Sequence, residues 1–176
     1  MKGFTLIEIL VVAAITVMLT GFLIQSFSRA RTDLNQVTGQ VADAIREAQS
    51  SALSGALVQG KYRCGYGIHF DAGGYTIFAG PDATQSSANC VAAGRVFPGT
   101  GTSVVRTALL TNNVLEIAPS GTDIFFEPPN PTTYINISGG PVPSVTILVR
   151  VKGATCSVTP ADCRSINVTT SGLIQQ

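Results

Sequence analysis

Residues 4–24 read FTLIEILVVAAITVMLTGFLI, a run of 21 residues with a single ionisable side chain, Glu8. As an α-helix this run would rise about 31 Å, close to the thickness of a bilayer's hydrocarbon core. A secretory signal peptide has a shorter apolar core with small residues at a cleavage site behind it. The stretch that follows here, QSFSRARTD, offers no such site, so the run is expected to be a membrane anchor. Lys2 flanks one end and Arg29 and Arg31 the other, so charge leaves its orientation open. Glu8 is the anomaly, because a carboxylate in a spanning helix costs about 2.5–3.5 kcal/mol on insertion scales and is usually kept for function. The plain alternative is that it lies near the helix end and reaches water.

The helical pattern does not stop with the apolar run. Leu34, Val37, Val41, Ile45, Ala48 and Ala52 recur at spacings of three and four, while Arg46, Glu47 and Gln49 fall off that stripe. The first proline is Pro81, so only glycines interrupt the pattern before residue 60. A continuous helix over residues 4–57 would be roughly 80 Å long. Beyond Gly60 the period changes to two: Tyr62, Cys64, Tyr66, Ile68 and Phe70 alternate with Arg63, Gly65, Gly67 and His69. Gly73-Gly74 signals a turn, and Tyr75, Ile77 and Ala79 continue the alternation. Further strands are expected at residues 95–97, 103–110, 114–118, 123–126, 132–137, 145–151 and 165–170, with an irregular excursion over residues 80–94. One long helix followed by many short strands reads as α+β, the helix packed on a mostly antiparallel sheet.

The N-terminal heptapeptide Lys2-Gly3-Phe4-Thr5-Leu6-Ile7-Glu8 resembles the processing signal of type IV pilins and type II secretion pseudopilins. The resemblance covers the first 25 to 30 residues strongly and the remainder only in architecture. It implies cleavage by a prepilin peptidase between Gly3 and Phe4, N-methylation of Phe4, and a role for Glu8 in aligning an incoming subunit against the N-terminus of one already placed. It also implies the division of the chain: a leader at residues 1–3, a transmembrane and filament-core helix at 4–27, an amphipathic half at 28–58 and a β-rich head at 59–176. The implied protein is a single-pass inner-membrane precursor with its head outside, then a subunit of an extracellular or periplasmic filament. Its implied partners are other pilin-like subunits, the peptidase, and an inner-membrane assembly platform with its ATPase. Many major pilins carry a proline within the apolar stretch; none stands here, which favours a minor subunit. VADAIREAQSSALSGALV resembles, more softly, the second half-helix of minor pilins and H-type pseudopilins.

Four cysteines, Cys64, Cys90, Cys156 and Cys163, allow three disulfide pairings, and the sequence does not choose among them. Cys64–Cys90 with Cys156–Cys163 is the expectation, since each pins a loop to a nearby strand; a zinc site would favour a C-x2-4-C spacing, and none is present. The one histidine, His69, lies on the alternate face of its strand with no second histidine to share a metal. No G-x-S-x-G stands anywhere, and Gly99-Thr100-Gly101-Thr102 lacks the GK[ST] ending of a phosphate loop. No catalytic residue, metal or cofactor is therefore expected. A second functional reading is a tip subunit whose head binds a ligand such as DNA or a surface. It needs a cluster of exposed cations, for which Arg95, Arg106, Arg150, Lys152 and Arg164 are the candidates. With 11 basic and 10 acidic residues spread along the chain, nothing in the charge balance itself points to nucleic acid.

Overall fold

The computed structural model describes residues 6–83, 90, 92–110, 114–128, 132–138 and 140–176, and for residues 22–31 the backbone alone. Helix α1 (Leu6–Ser54) runs 49 residues without a break. It ends where Gly55 takes a left-handed conformation (φ 59°), and the N–H groups of Gly55 and Ala56 close back onto the carbonyls of Ala52 and Ser51. The expected extension to residue 57 is thus cut by three residues.

Among the described residues ten strands follow: β1 (Tyr66–Asp71), β2 (Gly74–Ala79), β3 (Ser103–Leu109), β4 (Leu115–Ala118), β5 (Thr122–Glu127), β6 (Thr132–Ile137), β7 (Gly140–Pro141), β8 (Ser144–Val151), β9 (Cys163–Thr169) and β10 (Ile174–Gln175). They form two sheets, one of six strands in the order β3-β2-β1-β5-β6-β7 and one of four in the order β10-β9-β8-β4. Every pairing is antiparallel. A single core lies between α1 and the two sheets. The helix contributes Leu34, Val41, Ile45, Ala48 and Ala52, the larger sheet Ile68, Phe70, Ile77, Ile124 and Phe126, and the smaller one Ile117, Ile147, Val149, Ile166 and Val168. Alanines 42, 44, 48 and 52 are all buried; their small side chains let the helix axis approach the sheets closely.

The larger sheet is also covered at the centre of its other face, which explains why β2 and most of β5 are buried without alternation. Phe78 and Phe125 lie there 5.9 Å apart, and Phe97 from the excursion packs on Phe78 at 5.4 Å. Glycines make the floor: a Cβ on Gly67 would lie 2.5 Å from Phe78 Cζ, and one on Gly65 2.7 Å from Phe125 Cε1. Residues 95–97, expected as a strand, are not one. A turn of 3-10 helix occupies Ala92–Arg95 instead, because Arg95 is drawn to Glu127 and Phe97 into the aromatic cluster.

The expected architecture, a membrane-spanning half-helix and an amphipathic half packed on one sheet, requires correction. Among the described residues no helix is long and apolar enough to cross a membrane. This contradicts the transmembrane segment expected at residues 4–27 and the single-pass inner-membrane placement built on it. Nor does α1 pack on a sheet along its length: among the residues whose side chains are described, the buried ones run from Leu34 to Ala52, and the β-rich part is two sheets rather than one.

Candidate functional site

Among the described residues, ten of the nineteen exposed large apolar side chains lie in one place, the N-terminal part of α1. Leu6 is 78% exposed, Val17 73% and Met18 70%, and Ile7, Ile9, Leu10, Val11, Val12, Ile15 and Leu19 are exposed with them. These side chains point in all directions around the axis, and a helix apolar on every side is stable only when something covers it. Its polar groups are already answered from within. Thr16 Oγ1 donates to the carbonyls of Val12 and Ala13 at 2.8 and 2.9 Å, and Thr20 Oγ1 to that of Thr16 at 2.6 Å. Glu8 is the remaining charge on residues 6–21; it is exposed. The surface is therefore apolar with one carboxylate near its end. Gly3 and Phe4, the expected cleavage and methylation positions, lie outside the described residues.

The cysteines pair as Cys64–Cys90 and Cys156–Cys163. The first ties the excursion to the entry of β1; the second closes the loop that leads into β9. Sequence spacing left three pairings open, and the fold selects by bringing each pair of Cα atoms within 5.3 and 5.6 Å.

His69 sits on the outer face of the larger sheet, where β1 and β5 set it opposite Asp123. Its Nδ1 lies 2.8 Å from Asp123 Oδ1, and its Nε2 lies 3.4 Å from Asp71 Oδ1. The same Asp123 oxygen accepts the Phe97 backbone N–H at 3.1 Å, and the Phe97 ring packs on the imidazole at 5.6 Å. The hydrogen bond to Asp123 raises the His69 pKa, burial opposes it, and the charges of Asp123 and Asp71 add to the rise. This group fastens the excursion to the sheet. Sequence reasoning placed His69 on the outer face but missed Asp123, whose only signal was its place on a strand of otherwise apolar residues. Among the described residues no group of three or more His, Cys, Asp or Glu could hold a metal ion.

The five candidate cations do not form a free patch. Arg95 donates through Nε and Nη2 to Glu127 and stacks 3.7 Å above the Tyr134 ring. Arg106 pairs with Glu47 of α1, and Arg150 with Glu116 across β4 and β8 at 2.7 Å. Arg164 donates to Asn35 Oδ1 of α1 at 2.8 Å and to the Ala161 and Cys163 carbonyls. Four of the five thus tie one element of this chain to another, and Lys152 sits in the turn after β8. A cleft of about 390 Å³ beside Arg164, lined also by Thr38, Ser165 and Gln176, is open to solvent.

No family model matches the chain, and no curated protein or solved structure matches it.

Proposed function

We propose that the chain is a structural subunit, minor rather than major, of a filament of the type IV pilus or type II secretion pseudopilus kind, and not an enzyme. The observation that supports this reading is the uncovered apolar N-terminal part of α1 carrying Glu8 alone. Such a surface needs an apolar partner, and the same segment of neighbouring subunits supplies one with matching chemistry. Cleavage between Gly3 and Phe4 by a prepilin peptidase would leave an amine on Phe4. An amine and the Glu8 carboxylate, each costly in an apolar bundle, offset one another when paired between subunits. Contacts of this kind are heterologous and do not close, so they generate a helical polymer. An assembly platform with its ATPase would drive the process, and other pilin-like subunits would make up the rest of the fibre. The ligand-binding alternative gains nothing from the arginines, whose partners lie within the chain.

The test is the N-terminal sequence and intact mass of the chain recovered from sheared filaments, beside the same measurement for Glu8→Ala. The expected wild-type chain begins at methylated Phe4, and Glu8→Ala is cleaved equally but incorporated poorly. A wild-type chain that begins at Met1 and is absent from filaments, or a Glu8→Ala variant incorporated normally, overturns the assignment.

A further inference from the structure

Antiparallel sheets end in strands whose outward N–H and C=O groups can pair with another chain, and proteins blunt such edges by shortening them or adding proline or charge. Among the described strands, three of the four edges are blunted. β7 and β10 have two residues each, and β7 ends in Pro141. β4 has four residues, is followed by Pro119, and already gives its Ile117 N–H to the Ala72 carbonyl. β3 is different. It has seven residues, Val104, Val105 and Leu109 are 54%, 43% and 77% exposed, and its one charge, Arg106, is engaged by Glu47.

The phase of this edge is fixed. Leu110 donates its N–H to the Gly73 carbonyl at 2.9 Å. Hydrogen-bonded positions alternate along an antiparallel strand, so Ala108 and Arg106 direct their backbone groups to β2, while Thr107 and Leu109 direct theirs outward. A register shift opposite Ile77 and Phe78 makes Val105 the extra residue of a bulge and bounds the open edge on that side. Side-chain direction is set as well: Thr107 meets Thr76 at 3.3 Å on one face of the strand, and Arg106 meets Glu47 on the other.

We propose that β3 is a contact between two copies of this chain, each adding its β3 antiparallel to the other with Thr107 facing Thr107 across the two-fold axis. This goes beyond the filament reading, since it involves the β-rich part and not the N-terminal helix. The sequence of the edge selects the register. Centred on Thr107, the pairing sets Arg106 of each copy against Ala108 of the other, so no like charges meet, and turns each exposed Leu109 toward the bulge at Val105 that ends the partner's edge. Centred on Arg106, it would set two guanidinium groups directly opposite, a destabilising arrangement. Centred on Ala108, it would pair Leu109 with Thr107 and leave Val105 uncovered. A strand that is its own complement in one register fits a second copy, and the joined sheet would be twelve strands wide, six from each copy.

Cysteine trapping in the full chain tests this, in detergent so that the apolar helix surface is masked. All four native cysteines are in disulfides, so an introduced cysteine is the one free thiol. Opposed residues of a hydrogen-bonded pair have Cα atoms about 5.5 Å apart, within disulfide range. Thr107→Cys is expected to form a covalent dimer under mild oxidation roughly tenfold or more faster than Arg106→Cys or than Ser50→Cys on exposed helix surface, because pairing concentrates the two thiols. Adding Leu109→Lys to Thr107→Cys should abolish that advantage. Equal rates for the three cysteines, faster trapping of Arg106→Cys, or no effect of Leu109→Lys overturns the proposal, and circular dichroism of the reduced variants shows that each is folded. None of these outcomes depends on whether Phe4 is the mature N-terminus, so the two proposals fail separately.

Discussion

Ile45 and Val17 belong to one unbroken helix, yet Ile45 is 0% exposed and Val17 73% exposed. Truncating each to alanine should therefore have consequences of very different size. Ile45→Ala removes three buried carbons at about 0.8 kcal/mol each, near 2.4 kcal/mol of transfer free energy. The hole cannot close, because Ile45 is fully buried in the core that α1 forms with both sheets, which includes Phe70 and Ile147. A residual cavity of about 40 Å³ adds near 1 kcal/mol at roughly 24 cal/mol per Å³, for a total of about 3–4 kcal/mol. Val17→Ala removes two carbons from a largely exposed side chain, so its effect on unfolding should stay within about 0.5 kcal/mol. Guanidinium unfolding in detergent, followed by near-ultraviolet circular dichroism of the tyrosines, measures both; Tyr66 and Tyr75 lie in the core and report on it directly. A loss below about 1 kcal/mol for Ile45→Ala, or an equal loss for Val17→Ala, would refute the division of α1 into a stretch bound to its own sheets and a stretch left for other molecules.

Two further outcomes follow from the loops. Loop-closure entropy grows with the closed segment, so opening Cys64–Cys90 (sequence separation 26) by paired serine substitutions should cost about 3–4 kcal/mol, and opening Cys156–Cys163 (separation 7) about 2–3 kcal/mol, read from denaturant midpoints; the reverse order would count against the entropic account. His69 has a folded pKa above its ordinary 6.5, so its ionic contribution is complete below about pH 6.5 and fades as pH rises through the raised folded value. Unfolding midpoints should accordingly fall between pH 6 and pH 9, more for wild type than for His69→Asn, and parallel profiles for the two would show that the imidazolium does not hold the Phe97 loop.

What the sequence determined by itself was whatever depends on local periodicity. The three-and-four spacing of Leu34, Val41, Ile45, Ala48 and Ala52 specified a helix with one buried stripe, and these residues are buried. Alternation marked β1, and glycines, asparagines and prolines bounded most of the other strands, because turn chemistry is set by neighbouring residues. The motif around Gly3, Phe4 and Glu8 is likewise legible from the sequence alone. Tertiary structure decided what depends on residues distant in the chain. The split into two sheets, the choice among three disulfide pairings and the capture of His69 by Asp123, 54 residues away, have no local signature. The same holds for residues 95–97, which look extended by composition but are pulled aside by Glu127 and the Phe78 ring. The long apolar run at the N-terminus is where periodicity misleads most. Hydropathy reports that such a segment must leave water, whereas only the arrangement of the chain and its partners decides what covers it.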